Sequence, residues 1–403
     1  MRILIVSNLY PPYYKGGHEL QCQFAAEVLT EKGHEVYVLT SRYGVKKPVR
    51  DKKVFRVLFY HPEIRGVFKR LSAGLSNRVN YFITKKVMKK IDPDLVYVGQ
   101  LNGISVFPLK ALKKKRVPFV YHIGHFYFCE LVQYCIREPN YLKRNSAKIL
   151  TGFYSLNEFD FNNMITVSSF IKEAHIKAGY LKENISIVPP MGIPAYKIVP
   201  NPRQALHLTR GTPQLLFVGR LTAVKGIHIA VESIKTLIDQ KQLSDFAFHI
   251  IGDGDRVYKE ELKQLIYNYE LNDRILFDGF LSPEQLVQAY DSADLLLVPS
   301  LEEPFGLIII EAMSRGLPVV ASSVGGITDI IVHLQNGLLS EPGNFIDLSR
   351  QIIKILNDPD LYKGISYRAL LTVREKYSKE MIAEKLNNYI QNAYSNYSKK
   401  QKI

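Results

Sequence analysis

Two carboxylates, Glu303 and Glu311, stand eight positions apart in the segment PSLEEPFGLIIIEAMSRGLPVVASS. Residues 305–315 are predicted to form a helix that Gly316 ends and that cannot continue through Pro318. Glu303 then precedes the helix, and Glu311 lies about two turns into it. The first helical turn has free N–H groups and the positive dipole end, which suit an anion, whereas a carboxylate beside it suits hydroxyl groups. The segment therefore predicts a ligand that carries both phosphate and sugar hydroxyls.

Either carboxylate could also be an ordinary surface group. A Glu in front of a helix is often a solvated cap, and a Glu within a helix usually faces water. The run LIIIEAM that contains Glu311 is apolar nearly all round, however, and a helix of that kind is buried. A buried carboxylate needs a partner, and a ligand is one candidate.

Another candidate site precedes the first predicted helix. An apolar strand over residues 1–7 is followed by Gly16 and Gly17, by a helical pattern to Lys32, and by the strand EVYVLT. This βαβ order implies a parallel sheet, and the two glycines allow the backbone to approach a ligand at the mouth of that sheet. The spacing is not that of a dinucleotide fingerprint, and a plain helix start is the other interpretation.

Two cations stand at a similar strand-to-helix junction in the second half of the chain. The predicted strand QLLFVG is followed by Arg220 and Lys225, and then by a helix to Asp239. Cations beside free helix N–H groups favour a clamp for a diphosphate.

Two histidines lie at the end of the predicted strand of residues 118–122. His122 ends that strand at the carboxyl edge of the sheet, and His125 comes directly after Gly124. A His at this edge is well placed for a cleft, and a structural histidine is the other interpretation.

The composition indicates a globular protein of two domains. Its 403 residues are too many for a single core, while 46% of them are apolar and 23% are charged. Residues 1–200 contain 31 Lys and Arg against 14 Asp and Glu, so the first half carries all of the net charge of +15. A basic half suggests nucleic acid, an anionic membrane surface or an acidic substrate as partner.

The lack of a targeting signal and the spacing of the cysteines predict the compartment of the protein. The N-terminal apolar run is too short for a signal peptide, and no stretch reaches the ~18 apolar residues of a membrane span. The three cysteines lack metal spacing, which fits a reducing, cytoplasmic compartment.

We expect domains at 1–195 and 196–375, with a proline-rich hinge linker at 189–213. A C-terminal helix within 376–403 is expected to pack back toward the first domain.

Residues 64–90 form a predicted basic amphipathic helix. Its apolar members are Phe68, Leu71, Leu75, Phe82 and Val87, and the cations between them are Lys69, Arg70, Arg78, Lys85, Lys86, Lys89 and Lys90. Such a helix can lie on an anionic bilayer, which would place the protein peripherally at the inner face of the membrane. An ordinary surface helix with a solvated face is the other interpretation.

Taken together, these motifs resemble a known family. The segment EEPFGLIIIEAMSRGLPVVAS, with SNLYPPYYKGGHE, FVGRLTAVKG, IIGDGD, FDGFL and GGITDII in their order along the chain, is similar to the retaining glycosyltransferases of family 4. The similarity covers nearly the whole chain. It implies the GT-B fold, an α/β architecture in which two Rossmann-like domains with doubly wound parallel sheets face a cleft. The N-terminal domain would bind the acceptor, and the C-terminal domain would bind the donor.

The resemblance also implies roles for the candidate residues. The donor-binding set is Gly16, Gly17, Arg220, Lys225, Gly252, Phe305, Gly306, Leu307 and Glu311, and the catalytic set is Glu303 and His122. Glu303 would hold hydroxyls of the donor sugar, and Glu311 would bind the ribose. Arg220 and Lys225 would hold the diphosphate. Where the family often has a histidine followed by an aspartate, this chain has His122-Ile123-Gly124-His125, so either histidine could be the functional one, and His122 is preferred.

The implied reaction moves a sugar from a nucleoside-diphosphate sugar to a glycan or lipid-linked acceptor, with retention at the anomeric carbon. The leaving diphosphate would help to deprotonate the acceptor, and the transition state would resemble an oxocarbenium ion. No metal and no cofactor are expected, because Arg220 and Lys225 would do the work of a metal. Two alternatives come from other classes: a non-catalytic protein that binds sugar nucleotides, and a nucleic-acid-binding protein. No nucleic-acid partner is expected, because no reader motif is present.

Overall fold

Two units, each built on its own sheet, make up the chain. The structure is a computed structural model, and it describes residues 1–14, 17–51, 53–61, 67–113, 117–155, 159, 161–179, 181, 185–204 and 211–401. The first unit comprises Met1–Met191 and Ile382–Ile403, and the second comprises Gly192–Met381. The sequence predicts the corresponding domain boundaries at 195/196 and 375/376.

The first unit contains a largely parallel sheet. Its described strands are β1 (Arg2–Val6), β2 (Glu35–Ser41), β3 (Val49–Arg50), β4 (Val54–Leu58), β5 (Leu95–Val98), β6 (Phe119–Ile123), β7 (Met164–Thr166) and β8 (Ser186–Ile187). They lie in the order β3-β4-β2-β1-β5-β6-β7-β8, and β3 runs antiparallel to β4. The described helices are α1 (Gly17–Glu31), α2 (Val67–Ile91), α3 (Phe107–Lys113), α4 (Tyr127–Val132), α5 (Tyr141–Thr151) and α6 (Ser169–Lys177).

The second unit contains a sheet in which every described pair of strands is parallel. Its strands are β9 (Gln214–Val218), β10 (Ala247–Ile251), β11 (Ile275–Gly279), β12 (Leu295–Val298), β13 (Val319–Ser322) and β14 (Leu338–Ser340), in the order β11-β10-β9-β12-β13-β14. The helices are α7 (Ile227–Asp239), α8 (Arg256–Asn268), α9 (Pro283–Ser292), α10 (Leu307–Ser314), α11 (Ile327–Ile330), α12 (Phe345–Leu356) and α13 (Pro359–Thr372). A further helix, α14 (Lys379–Gln401), begins here and continues in the first unit.

The central strands are apolar without alternation, as parallel strands covered by helices on both faces should be. All four positions of β5, LVYV, are buried, and so are all four positions of β12, LLLV. The alternation of strands and helices in both units confirms the predicted α/β class with doubly wound parallel sheets.

Helix α14 completes the core of the first unit. Ile382, Leu386 and Ile390 repeat every four residues and are buried among the residues of that core. Tyr389 donates its O–H to the carbonyl oxygen of Met164 at 3.0 Å. Within the described part of the chain, no helix combines the length and the apolar character that crossing a bilayer requires.

The proline-rich segment 189–213, which the sequence predicts to be the hinge linker, contains the boundary at Met191/Gly192 and forms several bonds with the second unit. Ile193 N–H donates to Tyr377 O at 2.8 Å, and Val199 N–H donates to Ser314 O at 2.9 Å. The Arg203 guanidinium donates to Tyr290 O at 2.7 Å. Part of the backbone of this segment closes a short 3-10 turn at Ala195–Lys197, and other groups bond to loops and helix ends of the second unit. Residues 205–210 of the predicted linker lie outside the described residues.

Candidate active site

The candidate donor residues of the second unit lie at the carboxyl ends of its central strands. β9 has β10 on one side and β12 on the other, so the strand order reverses between β9 and β12. Ligands of open parallel sheets bind beside such a reversal, outside the carboxyl ends of the strands. The loop after β9 carries Lys225, and the loop after β12 carries Glu303.

These two loops bring Lys225 and Glu303 into direct contact. Lys225 Nζ donates to Glu303 Oε2 at 2.6 Å, and the two side chains are only 18% and 12% exposed. A charge-assisted bond of this length, largely withdrawn from water, holds both groups in defined positions. The sequence places both residues at the ligand without predicting that they meet.

The backbone fixes the relative position of the two loops. Leu301 N–H donates to Val224 O at 2.8 Å. Gly226 has φ +66°, and a Cβ atom built on it would lie 1.9 Å from Pro299 O. Only glycine fits this position. Any other residue would place its Cβ atom against the Pro299 carbonyl, and the φ of residue 226 lies in the left-handed region.

A pair of glycines holds the Glu303 loop from its other side. Gly326 N–H donates to Glu303 O at 2.8 Å. A Cβ atom on Gly325, which has φ +59°, would lie 2.2 Å from the same oxygen. The two glycines thus allow this turn to pack closely against the Glu303 loop.

Helix α10 begins beside the Glu303 carboxylate with unsatisfied donors. Gly306 is its N-cap at φ +104°, and no side chain caps it. Among the described residues, no acceptor bonds the N–H groups of Phe305, Gly306 and Leu307. The helix start can therefore bond an anion or a hydroxyl oxygen through its backbone. The Phe305 ring itself is buried and packs edge-on against Tyr377, with 6.0 Å between ring centroids.

Glu311 already has a partner within the protein. Tyr290 donates its O–H to Glu311 Oε2 at 2.9 Å. Burial raises the pKa of Glu311 above its ordinary value, while the Tyr290 hydrogen bond and the charge of Lys197 act to lower it. The structure therefore supports the prediction that this carboxylate needs a partner, but the partner that it shows is a tyrosine. Sequence reasoning missed Tyr290 and Lys197, because nothing in their local sequence marks them.

Arg220 and Gly252 occupy neighbouring loops but have different local surroundings. Arg220 is exposed, and among the described residues it forms no ion pair. Gly252 has φ +128°, and a Cβ atom there would lie 1.9 Å from Gly219 O. Its N–H donates to Gly279 O at 2.7 Å. In the structure, Gly252 therefore serves the close packing of the loops after β9 and β10, next to Arg220.

The two candidate histidines of the first unit differ sharply. His122 lies in β6 and is 3% exposed. Its Nε2 lies 2.8 Å from Val188 O, which can only accept, so Nε2 carries the proton and Nδ1 accepts from Tyr97 O–H at 2.7 Å. With both nitrogens bonded inside the unit, His122 has the surroundings of a structural histidine.

His125 lies beyond the end of β6 and is half-buried. Its Nδ1 accepts from Tyr127 N–H at 2.9 Å. This position at the carboxyl end of a parallel strand favours His125 over the preferred His122 as the histidine that meets a ligand.

Of the two N-terminal glycines, Gly17 is the first residue of α1, and Gly16 lies outside the described residues.

Metal binding by a protein cluster has no support in the described residues. No group of three or more His, Cys, Asp or Glu side chains among them lies close enough to hold an ion. The functional groups brought together in the second unit are thus a Lys–Glu pair, a helix start with unsatisfied N–H groups, and a carboxylate bonded to a tyrosine.

Comparison with known protein families accounts for both units. A family model described as "Glycosyltransferase Family 4" matches residues 15–191, and one described as "Glycosyl transferases group 1" matches residues 200–371. Together the two models cover most of the chain. This chain belongs to the family 4 glycosyltransferases. The family predicted from the sequence motifs is confirmed.

Relatives that align over most of their length support the assignment to this family. The chain is 28% identical over 400 residues to the uncharacterized glycosyltransferase MJ1607 of Methanocaldococcus jannaschii, an alignment that covers 96% of this chain and 97% of the relative. It is also 28% identical to the sulfoquinovosyl transferase SQD2 of Arabidopsis thaliana, over 100% of this chain and 76% of that protein.

Solved structures of this family's fold match nearly the whole glycosyltransferase. Anabaena HepE in complex with UDP and glucose matches with a TM-score of 0.70 and 22% identity, over 97% of this chain and 100% of HepE. Sucrose-phosphate synthase of Thermosynechococcus elongatus matches with a TM-score of 0.73 and 20% identity, over 98% and 99% of the two chains. These neighbours confirm the predicted GT-B fold.

Proposed function

We propose that this glycosyltransferase moves a sugar from a nucleoside-diphosphate sugar to a glycan or lipid-linked acceptor, with retention at the anomeric carbon and without a metal ion. The observation that carries the proposal is the Lys225–Glu303 contact of 2.6 Å beside the start of α10. A cation for a diphosphate and a carboxylate for sugar hydroxyls stand side by side there, which suits a ligand that carries both groups.

The diphosphate is assigned to the two cations, and the sugar end of the donor is assigned to the helix start. Lys225 and the exposed Arg220 neutralise it, as a metal ion does elsewhere. The unsatisfied N–H groups of α10 then bond the donor at the sugar end. The complex of HepE with UDP-glucose supports a uridine donor as the first to be tested.

Glu303 and Glu311 are assigned to different parts of the donor. Glu303 accepts hydroxyls of the transferred sugar, and its charge stabilises the positive charge that develops on the ring. Glu311 keeps the Tyr290 bond on Oε2 and offers Oε1 to a ribose hydroxyl. His125, rather than His122, is assigned to substrate contact from the first unit.

The transfer step balances without a cofactor. The bond between the anomeric carbon and the β-phosphate oxygen breaks, and its electron pair leaves with the diphosphate. The acceptor oxygen bonds the anomeric carbon from the same face, and its proton passes to the leaving phosphate oxygen. The protein contributes charge and position, which matter most for an oxocarbenium-like transition state.

Calorimetric titration of UDP tests the division of labour between the two carboxylates. UDP has no sugar to transfer, so Glu303→Gln should bind it almost normally while losing turnover. Glu311→Gln should bind UDP about tenfold to a hundredfold more weakly, because a charged hydrogen bond to the ribose is worth roughly 1.5–3 kcal/mol. If Glu303→Gln were the weaker binder of UDP, the two roles would be reversed.

A thermal-shift panel of nucleotide sugars, followed by product analysis, tests the reaction itself. The true donor should raise the melting temperature of the wild type. The product should keep the anomeric configuration of the donor, and turnover should persist in excess chelator. Donor binding without hydrolysis or transfer to any acceptor would indicate a non-catalytic binding protein instead.

A further inference from the structure

The outer face of α2 in the first unit exposes a row of apolar side chains. Leu75, Val79 and Phe82 are 64%, 42% and 67% exposed. Their spacing of four and three residues places them on one stripe of the helix. Val87, which the sequence assigned to the same stripe, is buried instead, and the side chains of residues 67–71 lie outside the described residues.

A groove lies next to this stripe, between α2 and the β3–β4 hairpin. Its volume is about 320 Å³, and we call it the α2 groove. Its apolar lining is Phe55, Val57, Ile83 and Val87, and its cations are Arg50, Lys86, Lys89 and Lys90. Ile83 and Lys86 follow Val79 and Phe82 by four residues each, so the stripe runs directly into the groove.

Among the described residues, no Asp or Glu side chain pairs with the cations of the α2 groove. Asp and Glu are absent from its lining, and none of its four cations forms an ion pair with another described residue. Lys90 Nζ instead lies 5.4 Å from the centroid of the Phe55 ring, within cation–π distance. All four cations are exposed, whereas Phe55, Val57 and Val87 are buried. The groove therefore presents a positive rim over an apolar floor.

We propose that this surface binds an anionic bilayer, with the phosphate of a lipid headgroup in the α2 groove and the stripe among the acyl chains. A free phosphate would satisfy the cations but would leave the groove floor and three exposed apolar side chains in water. A lipid matches both chemistries, because its phosphate meets the rim and its hydrocarbon meets Leu75, Val79 and Phe82. The proposal does not depend on the donor site, since all its residues belong to the first unit.

Sedimentation of the full chain with phosphatidylcholine vesicles, with and without phosphatidylglycerol, tests the proposal. The wild type should pellet only with the anionic vesicles, and salt should release it. The triple variant Lys86→Gln, Lys89→Gln, Lys90→Gln should lose about 100-fold in partitioning, since each Lys near an anionic surface is worth about fivefold.

Two further variants separate docking from a general effect of charge. Arg350→Gln, Lys354→Gln and Lys363→Gln together remove the same charge from exposed positions of the second unit and should leave partitioning nearly unchanged. Val79→Ser with Phe82→Ser keeps every cation and should lower partitioning about tenfold, through the loss of apolar burial. Glu303→Gln should bind vesicles like the wild type. Thermal melting verifies that each variant is folded.

Several outcomes would overturn the proposal. Equal loss in the second-unit control would mean that net charge alone drives binding. An unchanged Val79→Ser, Phe82→Ser variant would show that the stripe does not enter the bilayer. Saturable binding of inorganic phosphate that abolishes vesicle binding would make the groove a site for soluble anions. Tighter retention of RNA than of vesicles would identify a nucleic-acid surface instead.

Discussion

The ammonium group of Lys225 lies 2.6 Å from Oε2 of Glu303, although 78 positions separate the two residues in the chain. The side chains are only 18% and 12% exposed, so each charge has lost most of its water. The opposite charge of the partner stabilises it instead. In the proposed reaction, the diphosphate attracts Lys225 and the sugar hydroxyls bond Glu303. The pair thus holds both groups in place before a donor binds.

The first prediction is that Lys225 and Glu303 are energetically coupled. Lys225→Met and Glu303→Gln should each lower the free energy of unfolding by about 1–3 kcal/mol, because each leaves a largely buried charge without its partner. The double variant should lose less than the sum of the two, as measured by denaturant titration. Additive losses would show that the contact contributes nothing to stability.

The second prediction concerns the pH dependence of stability at Glu311. Burial raises the pKa of this carboxyl, so the folded protein keeps a proton that the unfolded chain has released. The contribution of Glu311 to stability is therefore complete below its ordinary pKa of 4.5 and is lost as the pH rises through the folded pKa. Glu311→Gln stays neutral, and its unfolding free energy relative to wild type should rise over this window.

The control for Glu311 is Glu375→Gln, which removes an exposed carboxylate of the same unit and should show no such rise. Tyr290→Phe removes the hydrogen bond to Oε2 and should cost about 1.5–3 kcal/mol at neutral pH. That cost should shrink when Glu311 is already Gln. A constant difference between wild type and Glu311→Gln across the pH range would contradict the raised pKa.

The third prediction compares two glycine substitutions in the second unit. Gly226→Ala would push a Cβ atom against Pro299 O and impose a left-handed φ on alanine. We expect it to cost about 1–3 kcal/mol or more, and to weaken UDP binding by shifting Lys225. Gly364→Ala in α13 meets no atom within 4 Å and should be neutral or stabilising by about 0.5–1 kcal/mol. Similar melting temperatures for both variants would contradict the close approach.

The fourth prediction separates the two histidines. His122→Ala removes the bonds to Tyr97 and Val188 and should lower the unfolding free energy by about 2–5 kcal/mol. His125→Ala should change stability by less than about 1 kcal/mol, while it lowers kcat at least tenfold with little change in donor affinity. A folded His122→Ala protein with normal stability and low turnover would restore the role first assigned to His122.

The strands could be predicted from the sequence because parallel strands covered on both faces read as unbroken apolar runs, as in LLLV of β12. The first residue of α10 was harder to predict from the sequence. The apolar run predicts a helix from Phe305, but the helix begins at Leu307 because Gly306 adopts a positive φ as its N-cap. Such a local conformation has no periodic signal in the sequence.

The sequence predicts which residues belong to the site, but it does not predict which of them contact each other. Glu303 and Lys225 are each marked by their place after a strand, whereas their pairing depends on the Gly226 backbone lying against Pro299. His122 shows the limit most clearly. In a strand buried on both faces, the sequence does not reveal which side a residue faces, and β6 continues one residue past the predicted end.

Helix α14 has a consequence for synthesis of the protein. Residues 1–191 leave the ribosome before any of the second unit, yet Ile382, Leu386 and Ile390, which complete their core, emerge only after all of it. The nascent first unit therefore carries an uncovered apolar surface for as long as 190 further residues take to be translated. The unit that is made first must finish folding last, and its nascent form is the one that a ribosome-bound chaperone has reason to shield.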